Sequence, residues 1–151
     1  MNQPYRDLTP GARAPRLERV LVATLLDAAS MRELEAAAAL ARSVGGSVRL
    51  LHVLEALMYA SPEMTELARR DPRTHPEASR KMADAIRHVT ALGVTDVQGN
   101  IEFGIAADVI VAHANDGRFD VLVLGHRGRA GGVYAKALAA SRIPVMAVPL
   151  G

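Results

Sequence analysis

Two short stretches, Val20–Ala23 and Val121–Leu124, are apolar at every position. Successive residues of a strand point to opposite sides, so a strand with no polar residue has both of its faces covered. That is the pattern of central strands in a parallel sheet. Parallel strands in turn need long crossover connections, usually helices, between them. Aromatic residues make up only 3% of the 151 residues while hydrophobic residues make up 50%, so the core is built from Ala, Val, Leu and Ile. Both observations favour an α/β domain over a β-sandwich.

The intervening sequence supplies the helices. Strand one is read at Arg19–Thr24. A helix follows over about residues 28 to 44, capped by Asp27, with Met31, Leu34, Ala38 and Ala41 on one face and a left-handed stop at Gly45-Gly46. Ser47–Val53 is strand two. Glu55–Pro76 reads as a long excursion, with Pro62, Pro72 and Pro76 and one short helix near Glu63–Arg69. Met82, Ala85, Ile86, Val89 and Leu92 form the stripe of the next helix, ended by Gly93. Val97–Phe103 alternates like a strand, although Gly99 argues against it. A helix opens at Gly104–Asp108 and ends near Asn115–Gly117, followed by a strand at Asp120–Leu124. A last helix, Gly132–Ser141, leads to a last strand at Val145–Val148, after Pro144. This alternation predicts an open five-stranded parallel sheet with helices on both faces and right-handed crossovers. Residues 1–18, with Pro4, Pro10, Gly11 and Pro15, read as a flexible N-terminal arm, and residues 19–151 as one domain.

Composition excludes several functions. Lys and Arg number 18 against 16 Asp and Glu, a formal charge of +2, with no basic stripe and few aromatics to stack on bases, so no nucleic-acid partner is expected. The chain has no cysteine, which removes disulfides and thiolate chemistry. No apolar run approaches the ~20 residues of a membrane span and no secretory leader is visible, so a cytoplasmic protein is expected. His52, His75, His88, His113 and His126 show no metal-ligand spacing, and no metal is expected.

In a doubly wound sheet, ligands bind beyond the carboxyl ends of the strands, where the strand order reverses. The candidate binding residues there are Ala23, Thr24, Val53, Leu124, Gly125, Arg127, Gly128 and Arg129. A strand feeding Gly125-x-x-Gly128 lets backbone N–H groups approach an anion, and the two arginines add charge. The same glycines are equally explained as a simple turn. His126 reads as a solvated loop histidine, His52 as a satisfied core residue, and Asp108 and Asp116 as helix-end residues. Glu55, the acid nearest the crevice, reads as a solvated carboxylate. No nucleophile has a base beside it, so no catalytic residue is assigned and no enzyme is expected.

Taken together, Val22-Ala-Thr24, Leu51-His-Val53, Gly104-x-Ala-Ala, Val121-Leu-Val-Leu-Gly-His126 and Ile143-Pro-Val-Met-Ala-Val-Pro149 resemble the universal stress protein family over Arg19–Pro149. The resemblance implies a Rossmann-like sheet of the adenine nucleotide alpha hydrolase type, cytoplasmic stress-related roles, and homodimers paired through the last strand, here Val145, Met146, Ala147 and Val148. An apolar edge strand independently favours pairing. Tyr134 and Ile143 are placed either in that interface or in the core.

The ATP-binding branch of the family resembles Gly-x-x-Gly, nine residues, then Gly-Ser or Gly-Thr, with an aspartate after strand one. Gly125 and Gly128 match the first pair, but the second lands on Leu138 and Ala139, and Leu25 stands at the aspartate position. Alignment on the last strand places a deletion of about seven residues between Gly131 and Val133, which removes the second clamp. The leading expectation is a non-catalytic regulatory or interaction protein, dimeric, with the ATP-binding motif partly lost and a protein partner of unknown kind. The alternative is an ATP or AMP binder that uses Gly125–Arg129 for the phosphates. A slow nucleotide hydrolase is a third, weaker reading.

Overall fold

The computed structural model describes residues 16–55, 61–71, 75–128 and 132–150. The five strands are β1 (Arg19–Ala23), β2 (Ser47–Glu55), β3 (Asp96–Gly104), β4 (Val121–His126) and β5 (Val145–Pro149). The five helices are α1 (Met31–Val44), α2 (Pro62–Arg70), α3 (Pro76–Ala91), α4 (Ala106–Ala114) and α5 (Gly132–Ala140). All strand pairings are parallel, in the order β3-β2-β1-β4-β5. The predicted open sheet is therefore the observed one, and β5 lies on an edge. The N-terminal arm lies outside the described residues up to residue 15, and β1 starts where the arm was expected to end.

Alternation along β1 and β4 divides the core into two layers. Val20, Val22, Val121 and Val123 meet α1 and α3 on one face, packing on Leu34, Ala37, Ala41 and Val89. Leu21, Ala23, Leu122 and Leu124 meet α4 and α5 on the other, against Ile110, Ala114 and Ala137. Val20, Val22, Leu122 and Val123 are fully buried, as a strand covered on both faces requires. Small alanines on the buried face of α1 let that helix lie close to the sheet. Ile143 is partly buried and packs against the second layer, as does Val145.

Several boundaries move, each for a local reason. Asp27 does not sit at the N-cap. That position is Ser30, and α1 starts three residues later than the sequence predicts. Asp27 instead closes a turn, its Oδ1 accepting from Ser30 N–H at 2.9 Å and from the Ser30 hydroxyl at 2.8 Å. Gly99 does not break β3, because Met82 and Ile86 of α3 lie where a side chain at residue 99 would go, and glycine is what allows that approach. β4 continues through Gly125 and His126, which pair with Val148 and Pro149. The first glycine of the expected turn is therefore a strand residue. The start of β1 is tied to the start of β4 by Asp120, which accepts from the backbone N–H of Glu18 and Arg19 and pairs with the Arg19 guanidinium at 2.9 Å.

Candidate functional site

The strand order reverses between β1 and β4, since α1 carries the chain toward β2 on one side and α5 carries it toward β5 on the other. A cavity of about 170 Å³ opens at the carboxyl ends of these strands. Its floor is apolar, made by Ala23, Leu51, Val53 and Leu124, with Ala106 and Ile110 of α4 behind them. One wall is polar and is formed by Thr24, Ser30 and Glu33 beside Gly125. Of the residues predicted from sequence, the structure brings Ala23, Thr24, Val53, Leu124 and Gly125 together here. Arg129 lies outside the described residues.

Thr24 is 5% exposed and every polar atom on it is engaged. Its N–H donates to Leu51 O at 2.9 Å, its carbonyl accepts from His52 Nδ1 at 2.8 Å, and its Oγ1 accepts from Leu26 N–H at 3.1 Å. That last bond holds Leu26 at φ 59°, in the left-handed region that a non-glycine residue rarely occupies. His52 thus acts as a satisfied structural residue, as expected.

The turn after β4 differs from the anion cradle read from the sequence. Gly128 N–H donates to His126 Nδ1 at 3.2 Å, and the His126 ring stacks on Tyr134 with centroids 5.1 Å apart. His126 is therefore not a solvated loop residue, and its ring engages the Gly128 N–H. Tyr134 lines the cavity and packs with the second core layer. Arg127 Nη2 pairs with Asp27 Oδ2 at 3.1 Å, linking the β4 and β1 loops across 100 residues of sequence. Burial pushes the Asp27 carboxyl up, but the hydrogen bonds from Ser30 and the Arg127 charge outweigh it and hold the carboxyl below its ordinary range.

Glu33 is the site residue missed from sequence. It is 2% exposed on the inner face of α1, and its carboxyl lies against Gly125, where any Cβ would collide with it. Burial pushes this carboxyl up to about 7, against the Thr24 hydroxyl and the Gly125 N–H, with Ser30 beside them, which favour its charged form. A signal existed in the sequence. Residue 33 falls on the same helical face as Ser30, Leu34, Ala37 and Ala41, so the apolar stripe of α1 carries a carboxyl.

Glu55 is not simply solvated, because its Oε1 accepts from Ala106 N–H at 3.2 Å and caps α4. Asp116 is held below its ordinary range by the hydrogen bond from Arg118, and it closes the turn after α4, in keeping with a helix-end role. A second cavity, of about 330 Å³, opens near the amino ends of β1 and β2. Its arginines are already paired, Arg19 with Asp120, Arg49 with Asp96 and Arg118 with Asp116, which makes it a poor anion site. Among the described residues no group of acids and histidines is arranged to hold a metal ion, and no helix is long and apolar enough to cross a membrane.

This architecture has counterparts among known proteins. A universal stress protein from Lactobacillus plantarum superposes with a TM-score of 0.70 at 18% identity, covering 89% of this chain and 99% of the other. One from Archaeoglobus fulgidus, solved in complex with dAMP, gives 0.62 at 21%, covering 89% and 98%. A family member from Arabidopsis thaliana with AMP bound gives 0.62 at 26%, covering 86% and 90%. No curated protein matches significantly by sequence. The sequence profile of the universal stress protein family matches residues 16–149. With the sheet order, the crevice and this match in agreement, the chain belongs to the universal stress protein family.

Proposed function

We propose that this chain is a non-catalytic binding and regulatory protein of the universal stress family, acting in the cytoplasm as a homodimer paired through β5, with its ATP-binding turn partly lost. One observation carries the loss of the turn. The groups that would hold phosphates are already committed within the protein: Gly128 N–H to His126, Arg127 to Asp27, and the Thr24 hydroxyl and Gly125 N–H to Glu33. A nucleotide would have to break these bonds, each worth about 0.5–1.5 kcal/mol net, before gaining its own.

The non-catalytic reading is supported by the crevice itself. Glu33 is the one acid among the described residues lining it, and it touches hydroxyls and a backbone amide rather than open solvent. A base for water or for a nucleophile needs a free path to the proton it takes. The homodimer reading is supported by β5, an edge strand whose Val145, Met146 and Val148 are only half-buried and whose Ala147 is exposed.

The alternative, an ATP or AMP binder using Gly125–Arg129, is favoured by the relatives solved with AMP and dAMP. Isothermal titration with ATP and AMP, with and without Mg²⁺, separates the two. We expect no saturable ATP binding and no phosphate release above background. Micromolar ATP binding that weakens in Arg127→Ala would establish the alternative.

A further inference from the structure

A carboxyl on a residue that is 2% exposed must either keep its proton or be reached by water, because burying the bare charge is costly. The Glu33 carboxyl and the side chain of Leu150, just past β5, crowd the same point beside the Cα of Gly125, so Leu150 covers the carboxyl on that side. Leu150 also lines the cavity at the carboxyl ends of the strands. We propose that Glu33 and Leu150 form a proton-operated clasp: Leu150 closes over the protonated acid, and loss of the proton to solvent releases Leu150 and opens the crevice to water.

Hydrogen bonding around the carboxyl fits a closed state that holds the proton. Ser30 has a single hydroxyl proton and donates it to Asp27 Oδ1 at 2.8 Å, so toward Glu33 this hydroxyl can only accept. It is a partner for the protonated acid and none for the carboxylate. The Thr24 hydroxyl and the Gly125 N–H supply two donors, short of the roughly four lone pairs of an ionised carboxylate. The charged form is therefore under-bonded until water enters. Burial pushes the carboxyl up to about 7, which places the working range of the clasp near neutrality.

The surrounding charges do not offset a negative Glu33. Asp27, on the connection from β1 to α1, repels it and adds to the bias for the proton. Arg127 pairs with Asp27 at 3.1 Å and not with Glu33. On β2, His52 is bonded to the Thr24 carbonyl and Glu55 to Ala106 N–H. β4 and α5 contribute His126 and Tyr134, whose rings stack on each other, while α3 brings Lys81 and Asp84 to a separate hollow beside Asp27. The cavity residues of α4, Ala106 and Ile110, are neutral, as are Val148, Pro149 and Leu150. Leu150 is partly buried and lies beyond the last rung of the sheet, with its N–H donating to His126 O at 2.9 Å, so it can swing out while the β4–β5 ladder stays paired.

The test is an NMR titration of the full chain between about pH 4 and 8, following the Glu33 carboxyl carbon and the Leu150 methyl groups. Glu33→Gln and Leu150→Ala are titrated alongside, with thermal melts confirming that each folds. In the unaltered chain both signals are expected to move together, with a midpoint of about 7. In Glu33→Gln the Leu150 methyls should stay at their closed position throughout. Leu150→Ala should lower the Glu33 midpoint by about one unit or more, a tenfold loss of proton affinity. If that variant does not fold, Leu150→Val should give a smaller shift in the same direction. A Glu33 midpoint near the ordinary 4.5 would overturn the clasp. So would Leu150 methyls that ignore the Glu33 titration, or that titrate unchanged in Glu33→Gln, which would assign their movement to another group such as His126. A Glu33 midpoint unmoved by truncating Leu150 would overturn it as well.

Discussion

The carboxyl of Glu33, on α1, lies against the Cα of Gly125, in β4, in the space a side chain at residue 125 would fill. Leu150 crowds the same space, so residue 125 has little room to adjust. Gly125→Ala is expected to destabilise the fold by about 1–3 kcal/mol, because a buried carboxyl must be displaced from its donors. Urea unfolding measures this directly. A variant as stable as the original would mean that Glu33 moves freely.

Glu33 also sets a pH dependence. Its carboxyl has an ordinary value of 4.5, and burial pushes it up to about 7 in the folded protein. The folded state thus holds a proton that the unfolded chain releases, so the group contributes most below 4.5 and that contribution is lost as pH rises to about 7. The loss is roughly 3 kcal/mol. Asp27, Asp116 and Asp120 are held below their ordinary values and act in the opposite sense, only under acid conditions. Thermal melts between pH 5 and 8 should show Tm falling in the unaltered chain and falling less in Glu33→Gln. Parallel curves would sink the assignment.

Asp27 and Arg127 form one ion pair but are not expected to matter equally. Arg127 is half-exposed and has Asp27 as its one carboxylate partner among the described residues, and such pairs contribute about 0–1 kcal/mol. Asp27 also holds the turn before α1 through Ser30. Asp27→Ala should therefore cost about 1 kcal/mol or more, comparable to a lost helix cap, and Arg127→Ala clearly less. Equal costs in denaturant titrations would show that the ion pair dominates.

Ala147 is exposed on the edge strand β5, with Leu124 of β4 as its neighbour on the inner side. Ala147→Glu is expected to leave the fold intact and to shift a β5-paired dimer toward monomer in sedimentation velocity. An unchanged dimer would place the interface elsewhere.

The elements themselves were largely legible in the sequence. Val20–Ala23 and Val121–Leu124 predicted buried strands, and the α1 stripe predicted its packing face, because periodicity reports burial directly. Glu33 was concealed by that same stripe, in which the eye follows Leu34, Ala38 and Ala41 and passes over an adjacent acid. His126 was misread because Tyr134, on which its ring stacks, belongs to the next helix. The continuation of β4 through Gly125 was hidden because its pairing partner, Val148, lies in the last strand.

The alternation of strand-length apolar runs with helical stripes thus determined the α/β class, the parallel sheet and the end of it where a ligand would enter, since each of these follows from contacts between neighbours in the chain and from handedness rules. Tertiary structure decided the chemistry of the crevice. Glu33 meets Gly125, and Asp27 meets Arg127, across about a hundred residues of intervening chain. Whether a glycine turn offers its donors to a ligand depends on which side chains reach it first. That is a property of distances between elements, and local pattern does not encode it.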